Sequence, residues 1–389
     1  MVRAATAGQL TSRIRPHIAS SVRFALATPA QDAPLRRLLR ENPMPGSIAL
    51  TLEREPSFFA AAALEGPEHR AIVAVENGRV VAAGSISARQ RFINGQPMRV
   101  GYLGALRLDA SCRARSSILL HGYDAFRELH EQDGPPIYLT SIVAGNLPAR
   151  RFLEKGLPGM PAYHFLGEFV TLIIPCPRRP GLFRPISRTT KKLRRQGIQL
   201  APGSEERRGE LLELLHDTNR KYQFAPVWAA GELHPKNFLM ACAPDGPLVA
   251  CAAIWDQRSV KQTVVRGYSS SLRCARPLIN LGAAFLGQPR LPRIGASISH
   301  AFLSHLVVDP ESPHLLDCLI TLLRGLARDR GIDYLTLGFD SRDPRLAYLR
   351  KAFRPREMLS RIYAAHWPDG AILAHSLDER LLAPEVAIL

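Results

Sequence analysis

The chain has 389 residues, enough for two domains, and its 46% of hydrophobic residues is typical of a globular protein. No apolar run approaches the roughly 20 residues that a membrane-spanning helix needs, which excludes a helical membrane-spanning protein. The net charge of +17 and the pI near 10.2 predict attraction to polyanions: nucleic acid, a membrane surface or a phosphate-rich cofactor.

The first 21 residues contain arginines but lack the apolar core of a secretory signal. We expect a flexible tail there, with an organelle transit peptide as the alternative. The cysteines show neither paired spacing nor a metal-binding pattern, so we expect reduced structural thiols in a cytoplasmic protein and no metal site. They are Cys112, Cys176, Cys242, Cys251, Cys274 and Cys318.

The first half of the chain predicts alternating strands and helices. Residues 23–42 predict a short strand, a turn and an amphipathic helix. Asn77 and Gly78 separate two apolar runs, which is a strong signal of a β-hairpin. The run "YLGALRLDA" (102–110) then predicts a strand that ends in an acidic residue, Asp109, whose position suits a turn cap better than a catalytic base.

A long helix follows that strand. Residues 115–132 place their leucines and aromatic residues on one stripe, which predicts a helix that packs against a core. The run "IYLTSIV" (137–143) predicts a buried strand. A short helix that opens near Asn146 and a last strand complete this half.

The second half repeats this order of elements. Its counterparts are a strand, turn and helix over 197–217, a hairpin turning at Asp245 and Gly246, a strand at 302–310, a long helix at 314–331, a strand at 332–339 and a short helix at 344–353. The sequence therefore predicts a tandem duplication of one α/β domain. We expect a tail (1–21), a first domain (22–176), a linker (177–196) and a second domain (197–389).

The linker is strongly basic. Residues 178–196 hold eight arginines and lysines and no acidic residue. Two prolines and a glycine keep the first part of this block extended and exposed. It is either a solvated linker or an anion-facing surface. Phe183 is its one aromatic residue, so stacking of nucleic-acid bases is not expected.

The order strand, helix, hairpin, strand, long helix, strand, short helix and strand resembles that of the GNAT superfamily of acyl-CoA-dependent N-acyltransferases. Residues 22–174 resemble one GNAT domain and residues 197–368 a second, more diverged one. The resemblance implies an α/β (α+β) fold of two tandem GNAT-like domains, each with a central mixed twisted sheet flanked by helices. It also implies acetyl-CoA or another acyl-CoA as co-substrate.

The most diagnostic GNAT motif is the turn Arg/Gln-x-x-Gly-x-Gly/Ala, which opens the long helix. Here Arg113 matches the leading position, Ser116 replaces the first glycine and Ile118 replaces the last small residue. Backbone N–H groups at a helix N-terminus bind phosphate, and a serine presents the same N–H. Ile118 is expected to crowd the phosphate. An ordinary serine-capped helix start is the alternative.

A second GNAT motif, Asn-x-x-Ala, follows the fifth strand, and Asn146 and Ala149 match it. The resemblance implies that Asn146 lies beside the pantetheine arm, where two strands separate and the cofactor's amides pair with exposed backbone. Capping of the short helix by Asn146 is the alternative. The resemblance implies a cofactor site formed by Leu106, Arg107, Leu108, Arg113, Ala114, Arg115, Ser116, Ser117, Ile118, Ser141, Asn146 and Arg150.

The usual GNAT proton donor is missing from the sequence. GNAT enzymes often have a tyrosine late in the short helix that protonates the departing thiolate, and Leu153 stands at that position here. Tyr102 or Tyr163 replaces it, or solvent protonates the thiolate, or the domain does not catalyse; for Tyr163 a half-buried strand residue is the simpler interpretation. An amine must lose a proton before it attacks a thioester, so a base is also expected. Glu53 and Glu55 lie where family members build the acceptor pocket, and a solvated helix surface is the alternative for both.

The second half lacks both motifs, so we expect it to be structural and to complete the acceptor site or a homodimer interface. We predict transfer of an acyl group, with acetyl as first choice, from acyl-CoA bound in the first half to a primary amine on a small molecule or polymer. The alternatives are a non-catalytic acyl-CoA-binding or scaffold protein, and a transferase that docks RNA or another anionic polymer. The nucleic-acid partner is the least favoured of these.

Overall fold

The computed structural model describes residues 18–19, 22–113, 115–177, 193, 197–244 and 246–389. Most of the predicted tail and of the basic linker lies outside these residues, as do Ala114 and Asp245. No helix within the described ranges is long and apolar enough to cross a membrane.

The first half contains the predicted elements and adds a strand and a helix between its first helix and its hairpin. Its strands are β1 (Ile18–Ala19), β2 (Val22–Leu26), β3 (Ile48–Glu53), β4 (Glu68–Glu76), β5 (Arg79–Ile93), β6 (Gln96–Leu108), β7 (Tyr138–Val143) and β8 (Ala162–Pro175). Its helices are α1 (Asp32–Glu41), α2 (Phe58–Ala62), α3 (Ser116–Asp133) and α4 (Leu147–Leu153).

The second half follows the same order. Its strands are β9 (Gln199–Pro202), β10 (Phe238–Cys242), β11 (Leu248–Trp255), β12 (Gln262–Tyr268), β13 (His300–Val307), β14 (Tyr334–Asp340) and β15 (Arg356–His366). Its helices are α5 (Arg208–Asn219), α6 (Ser270–Phe285), α7 (Pro313–Asp329), α8 (Arg345–Phe353) and α9 (Ala371–His375).

Two Asn-Gly turns shape the first half. Asn77 and Gly78 join β4 to β5 with φ of 49° and 74°, and Asn94 and Gly95 join β5 to β6 with φ of 51° and 82°. Both central residues of a type I′ turn need a positive φ, which asparagine and glycine adopt at low cost. The first turn was predicted. The second carries the same sequence signal and extends the hairpin into three antiparallel strands, which we did not predict.

Both halves contribute to one sheet of 13 strands. Its order is β1-β2-β4-β5-β6-β7-β15-β8-β14-β13-β11-β10-β9. The β6–β7 and β13–β14 pairs are parallel and their neighbours are antiparallel. This mixed twisted sheet, flanked by helices, confirms the predicted fold class.

The last strands of the two halves are exchanged. β15, from the second half, pairs with β7 of the first half, and β8, from the first half, pairs with β14 of the second half. β15 and β8 also pair with each other, from Arg356–Ile173 to His366–Ala162. Equivalent strands of the two halves therefore lie on opposite sides of the central β15–β8 pair. The domain boundary in the linker stays a prediction.

The exchanged strands contribute to the cores of both halves. Tyr363 and Ala365 of β15 are buried in the first-half core beside Tyr138. Leu172 of β8 is buried in the second-half core beside Leu335. Full burial of a large apolar side chain contributes roughly 1.5–3 kcal/mol, so each half depends on side chains that the other supplies.

A second, two-stranded sheet also joins the halves. β12 pairs antiparallel with β3 of the first half, and α6 follows β12 directly. Ser269 caps α6, since its hydroxyl accepts a hydrogen bond from Leu272 N at 3.4 Å. Neither β12 nor α6 was predicted, because the region between β11 and β13 has no counterpart in the first half of the repeat.

Candidate active site

β6 and β7 pair at one end and then separate. Gly101 pairs with Tyr138, and Tyr102 pairs with Leu139, in parallel register. Beyond these pairs β6 stays bonded to β5, and β7 stays bonded to β15 on its other edge. A cleft therefore opens between the facing edges of β6 and β7, where an extended ligand can pair with backbone.

A β-bulge in β6 accompanies this separation. Ala105 has φ of 51°, and the register of β6 against β5 shifts between Ala83 and Ser85. A bulge bends its strand and increases the local twist, which turns β6 away from β7. Where the strands diverge, the Thr140 hydroxyl donates a hydrogen bond to the Leu103 carbonyl at 2.9 Å.

The cleft holds a cavity of about 300 Å³, at the lower end of the roughly 300–1,000 Å³ of ligand pockets. Its polar lining includes Arg54, Ser85 and Thr140. The Ser85 hydroxyl is fully buried and has no hydrogen-bond partner among the described residues. A buried polar group without a partner is costly, so a ligand that bonds to Ser85 gains from doing so.

Four predicted cofactor-binding residues line this cavity: Leu106, Arg107, Ser141 and Asn146. Burial lowers the pKa of Arg107, and the neighbouring guanidinium groups of Arg54 and Arg113 lower it further. Arg107 therefore lies within electrostatic reach of two further positive charges. Such a concentration of charge favours an anionic ligand.

Asn146 combines the two arrangements that the sequence left open. Its side-chain oxygen accepts a hydrogen bond from Ala149 N at 3.4 Å and so caps α4. The residue also lines the cavity and is exposed. Its amide nitrogen makes no hydrogen bond to the described residues, which leaves that donor available to a ligand.

The predicted phosphate turn forms the N-terminus of α3. Ser116 and Ser117 lie in the first helical turn and are exposed. Ile118 is 3% exposed and packs into the first-half core. This burial does not favour the expectation that Ile118 crowds a bound phosphate, which stays a prediction.

The remaining predicted cofactor residues do not line the cavity. Leu108 packs against the first-half core. Arg115 Nη1 donates to both carboxylate oxygens of Glu76 at 2.9 Å. Arg150 Nη1 donates to the Ala144 carbonyl at 3.1 Å. Arg113 is exposed, and Ala114 lies outside the described residues.

Both predicted proton donors line the cavity. Burial raises the pKa of the Tyr102 hydroxyl well above its usual range. Burial and the neighbouring Tyr123 raise the pKa of Tyr163, whose hydroxyl lies 2.7 Å from that of Tyr123. Both tyrosines are therefore protonated at neutral pH, as a proton donor must be. Leu153, where a GNAT tyrosine is usual, also lines the cavity.

Glu53 and Glu55 are not brought to the cavity. Glu53 is 6% exposed and forms an ion pair with Arg266 of β12. Arg40 Nε also lies 3.5 Å from Glu53 Oε2. Glu55 pairs with Arg36 and Arg40 of α1. Neither glutamate is among the cavity-lining residues. Their role as bases stays a prediction that this geometry does not favour.

Glu65 lines the cavity, and our sequence reasoning missed it. It is 3% exposed and pairs with Arg54 and with Lys261, whose Nζ lies 3.3 Å from Glu65 Oε1. His69 Nε2 lies 3.6 Å from Oε2, and burial lowers the pKa of His69 to about 4. Lys261 belongs to the second half, so no local sequence pattern marks this cluster.

The equivalent cleft in the second half is filled by the chain itself. β13 and β14 also diverge, and His305 has φ of 54° where Ala105 has its bulge. Residues 382–386 lie in this space and leave a cavity of about 80 Å³. Glu385 accepts a hydrogen bond from His305 N at 3.1 Å, and a Cβ on Gly338 would lie 2.4 Å from Val386 Cγ2.

Comparison with known proteins gives matches in structure. No protein-family model and no curated protein matches the sequence. The structure of Saccharomyces cerevisiae N-myristoyltransferase with bound myristoyl-CoA and inhibitors matches with a TM-score of 0.58 at 13% identity, over 97% of this chain and 88% of that one. A GCN5-related N-acetyltransferase from Sphaerobacter thermophilus matches with a TM-score of 0.52 at 12% identity, over 90% and 98%.

A third similar structure is the GCN5-related glucosamine N-acetyltransferase region of a fungal multi-domain GH3 β-N-acetylglucosaminidase. Its TM-score is 0.56 at 11% identity, over 89% of this chain and 38% of that one. At these identities the likeness concerns the fold. N-myristoyltransferase has a tandem GNAT fold, so the predicted tandem GNAT architecture of this chain is confirmed.

Proposed function

We propose that this protein transfers an acyl group from acyl-CoA to a primary amine, with acyl-CoA bound in the β6–β7 cleft. The observation that carries the proposal is the contrast between the two equivalent clefts. The first holds a cavity of about 300 Å³ with cationic and amide groups in its walls, whereas residues 382–386 fill the second. The similar solved structures are N-acyltransferases, which supports the reaction class.

The residues of the cleft suit the parts of a coenzyme A molecule. The diverging edges of β6 and β7 offer backbone partners to the pantetheine amides, and Asn146 adds an amide donor beside them. Arg107 and Arg113 provide positive charge for the phosphates, next to the exposed serines at the N-terminus of α3. In this pose the thioester would lie in the cavity that Tyr102 and Tyr163 line.

Tyr163 is the favoured proton donor to the departing thiolate. It lines the cavity together with Leu153, which stands where a GNAT tyrosine is usual. Its hydroxyl is hydrogen-bonded to that of Tyr123, so Tyr123 can orient it and share its proton. Holding the amine and the thioester together supplies much of the remaining rate.

The acceptor end of the cavity is assigned to Arg54 and Glu65. Arg54 lines the cavity, and its Nη1 is buried without a hydrogen-bond partner among the described residues. That donor suits an oxygen of the acceptor molecule. Glu65 forms ion pairs with Arg54 and Lys261, which makes it a positioning residue.

A non-catalytic acyl-CoA-binding protein is the second candidate. Leu153 in place of the usual tyrosine favours it, as do the ion pairs that neutralise Glu53 and Glu55. The two candidates share the cofactor cleft and differ in turnover. A thiol-release assay with a broad panel of primary amines therefore separates them.

The test combines calorimetry and turnover on the full chain. We expect one-site binding of acetyl-CoA, weakened at least tenfold in Arg107→Gln and in Ser141→Trp, which fills the cleft. Arg37→Gln, on the exposed surface of α1, is the matched control and should bind normally. Longer acyl-CoA molecules in the same titration test the choice of acetyl. Absence of binding by every acyl-CoA overturns the proposal, and binding without turnover favours the second candidate.

A further inference from the structure

α6 presents an apolar face to solvent. None of its residues is buried, and Leu278 and Leu281, one turn apart on this face, are 75% and 63% exposed. Leu286 and Ile294, on the return segment, are 60% and 58% exposed. Single exposed leucines are common, but a contiguous apolar patch marks an interaction surface. We call residues 269–295 the α6 arm.

The opposite face of α6 is fixed to the rest of the arm. Asn280 Nδ2 donates to the Leu291 carbonyl at 3.1 Å, and Leu291 N donates to Asn280 Oδ1 at 2.7 Å. The Tyr268 hydroxyl donates to the Pro292 carbonyl at 2.8 Å. These bonds hold the helix in one orientation, so the outward direction of the leucines is built into the arm.

The charge around this apolar face has one sign. The α6 arm contains four arginines and no acidic residue. Three of them, Arg273, Arg290 and Arg293, are exposed and form no ion pair with the described residues. A helix with leucines on one face and arginines nearby has the composition of helices that lie in a membrane interface.

The basic linker begins beside the same arm. Pro177 is the last described residue before the basic block, and it lines a cavity together with Gln288, which follows α6. The eight arginines and lysines of residues 178–196 therefore continue the chain from a point next to the α6 arm.

We infer that the α6 arm docks on the surface of an anionic lipid bilayer, with Leu278 and Leu281 entering the boundary between headgroups and acyl chains. The arginines of the arm would contact lipid phosphates. A second copy of this chain is a poorer partner, because two such arms would bring like charges together. The inference concerns a surface separate from the β6–β7 cleft and does not depend on acyl transfer.

Vesicle flotation with the full chain tests the inference. We expect the protein to float with vesicles of three parts phosphatidylcholine and one part phosphatidylglycerol, and to float poorly with phosphatidylcholine alone. Leu278→Ser/Leu281→Ser should weaken binding at least tenfold. Arg273→Gln/Arg290→Gln/Arg293→Gln should weaken it about a hundredfold, because each arginine near an anionic surface is worth about fivefold.

Two control variants keep the test specific. Ile372→Ser removes an exposed apolar side chain on α9, and Arg23→Gln/Arg37→Gln/Arg356→Gln removes three exposed arginines elsewhere. Both should bind vesicles like the parent chain, and circular dichroism should show every variant folded. Binding that survives the leucine substitutions, or no binding at all, overturns the inference. Self-association that the leucine substitutions abolish, without vesicle binding, assigns the arm to a second copy instead.

Discussion

Lys261 Nζ, from the second half of the chain, lies 3.3 Å from Glu65 Oε1 in the wall of the first-half cavity. The second half therefore contributes a charge to the site that the first half frames. Arg54 pairs with the same carboxylate, so removal of Glu65, which is 3% exposed, leaves two partly buried cations without this partner. Breaking such a buried arrangement by deleting one member costs about 3–5 kcal/mol.

We expect Glu65→Ala to lower the free energy of unfolding by about 3–5 kcal/mol in urea titrations. Glu65→Gln combined with Lys261→Met should recover part of this loss, because the double variant removes a charge of each sign. Glu68→Ala is the control, since Glu68 is a partly exposed partner of Arg99 and should cost about 1 kcal/mol or less. Equal unfolding curves for Glu65→Ala and Glu68→Ala would show that the cluster does not stabilise the fold.

Asn146 allows its two roles to be separated. Asn146→Asp keeps an oxygen that caps α4 but removes the amide donor, whereas Asn146→Ala removes both. We expect Asn146→Asp to melt like the parent chain and bind acetyl-CoA more weakly. Asn146→Ala should in addition lose about 1 kcal/mol of stability. Unchanged binding in both variants, measured by calorimetry, would limit Asn146 to capping.

Gly338 marks the contact that fills the second cleft. A Cβ at this position would lie 2.3 Å from Phe169 Cε1 and 2.4 Å from Val386 Cγ2. Gly338→Ala should therefore destabilise the protein by about 1–3 kcal/mol. The matched control is Gly325→Ala inside α7, where no atom lies within 4 Å and alanine should stabilise the helix by roughly 0.5–1 kcal/mol. Chemical denaturation of both variants measures the difference, and equal effects would contradict the tight packing at Gly338.

The buried histidines predict loss of stability in mild acid. Burial, with Arg89 and His234 nearby, lowers the pKa of His305 from 6.5 to about 3. Below pH 6.5 the imidazole of His305 takes up a proton in the unfolded chain but not in the folded chain. The free energy of unfolding therefore decreases as the pH is lowered. The contribution between pH 6.5 and 5 is about 2 kcal/mol.

Urea titrations across this pH range measure that slope. His305→Asn keeps a residue that tolerates a positive φ but does not titrate, so the slope should become shallower whatever its effect at pH 7. His314→Asn replaces an exposed histidine on α7 and should leave the slope unchanged. An identical slope in His305→Asn and the parent chain would exclude His305 as a source of the acid sensitivity.

The exchanged strands make the two halves interdependent. A first-half chain of residues 1–186 lacks β15 and so loses the partner of both β7 and β8, which leaves unpaired strand edges that aggregate. We expect this fragment to be insoluble alone and to form a soluble complex when it is co-expressed with residues 187–389. Size-exclusion chromatography and circular dichroism distinguish these outcomes. A first-half fragment that folds cooperatively alone would contradict the interdependence.

Local patterns predicted the tandem repeat, because the Asn-Gly turn at 77–78 and the helical stripes are encoded by neighbouring residues. The separation of β6 and β7 was implied by the resemblance of the Asn146 motif to that of GNAT proteins. The same patterns did not predict the exchange of β8 and β15. Each strand has the composition of a buried strand whichever half it joins, so its partner is decided by packing between distant segments. Within the site, the cavity is lined by Leu106, Arg107, Ser141, Asn146, Tyr102 and Tyr163, and their roles in binding and catalysis stay predictions.

Glu65 and α6 show the two ways in which prediction from sequence failed. Glu65 forms its ion pair with Lys261, which is remote in the chain, so its local sequence "ALEGPEHR" contains no signal of a buried charge cluster. α6 had an adequate local signal, with a serine cap and apolar residues at positions 274, 278, 281 and 285. It was missed because the repeat supplied no counterpart for it.

The position of β15 also constrains how the protein is made. A ribosome synthesises β6, β7 and the rest of the first-half cleft well before residue 356 emerges. Until then, the edges of β7 and β8 that β15 covers have no partner, which makes the nascent chain a client for chaperones during translation. A premature stop codon anywhere before β15 would therefore remove the cleft in the first half, although every residue that lines its phosphate end had already been translated.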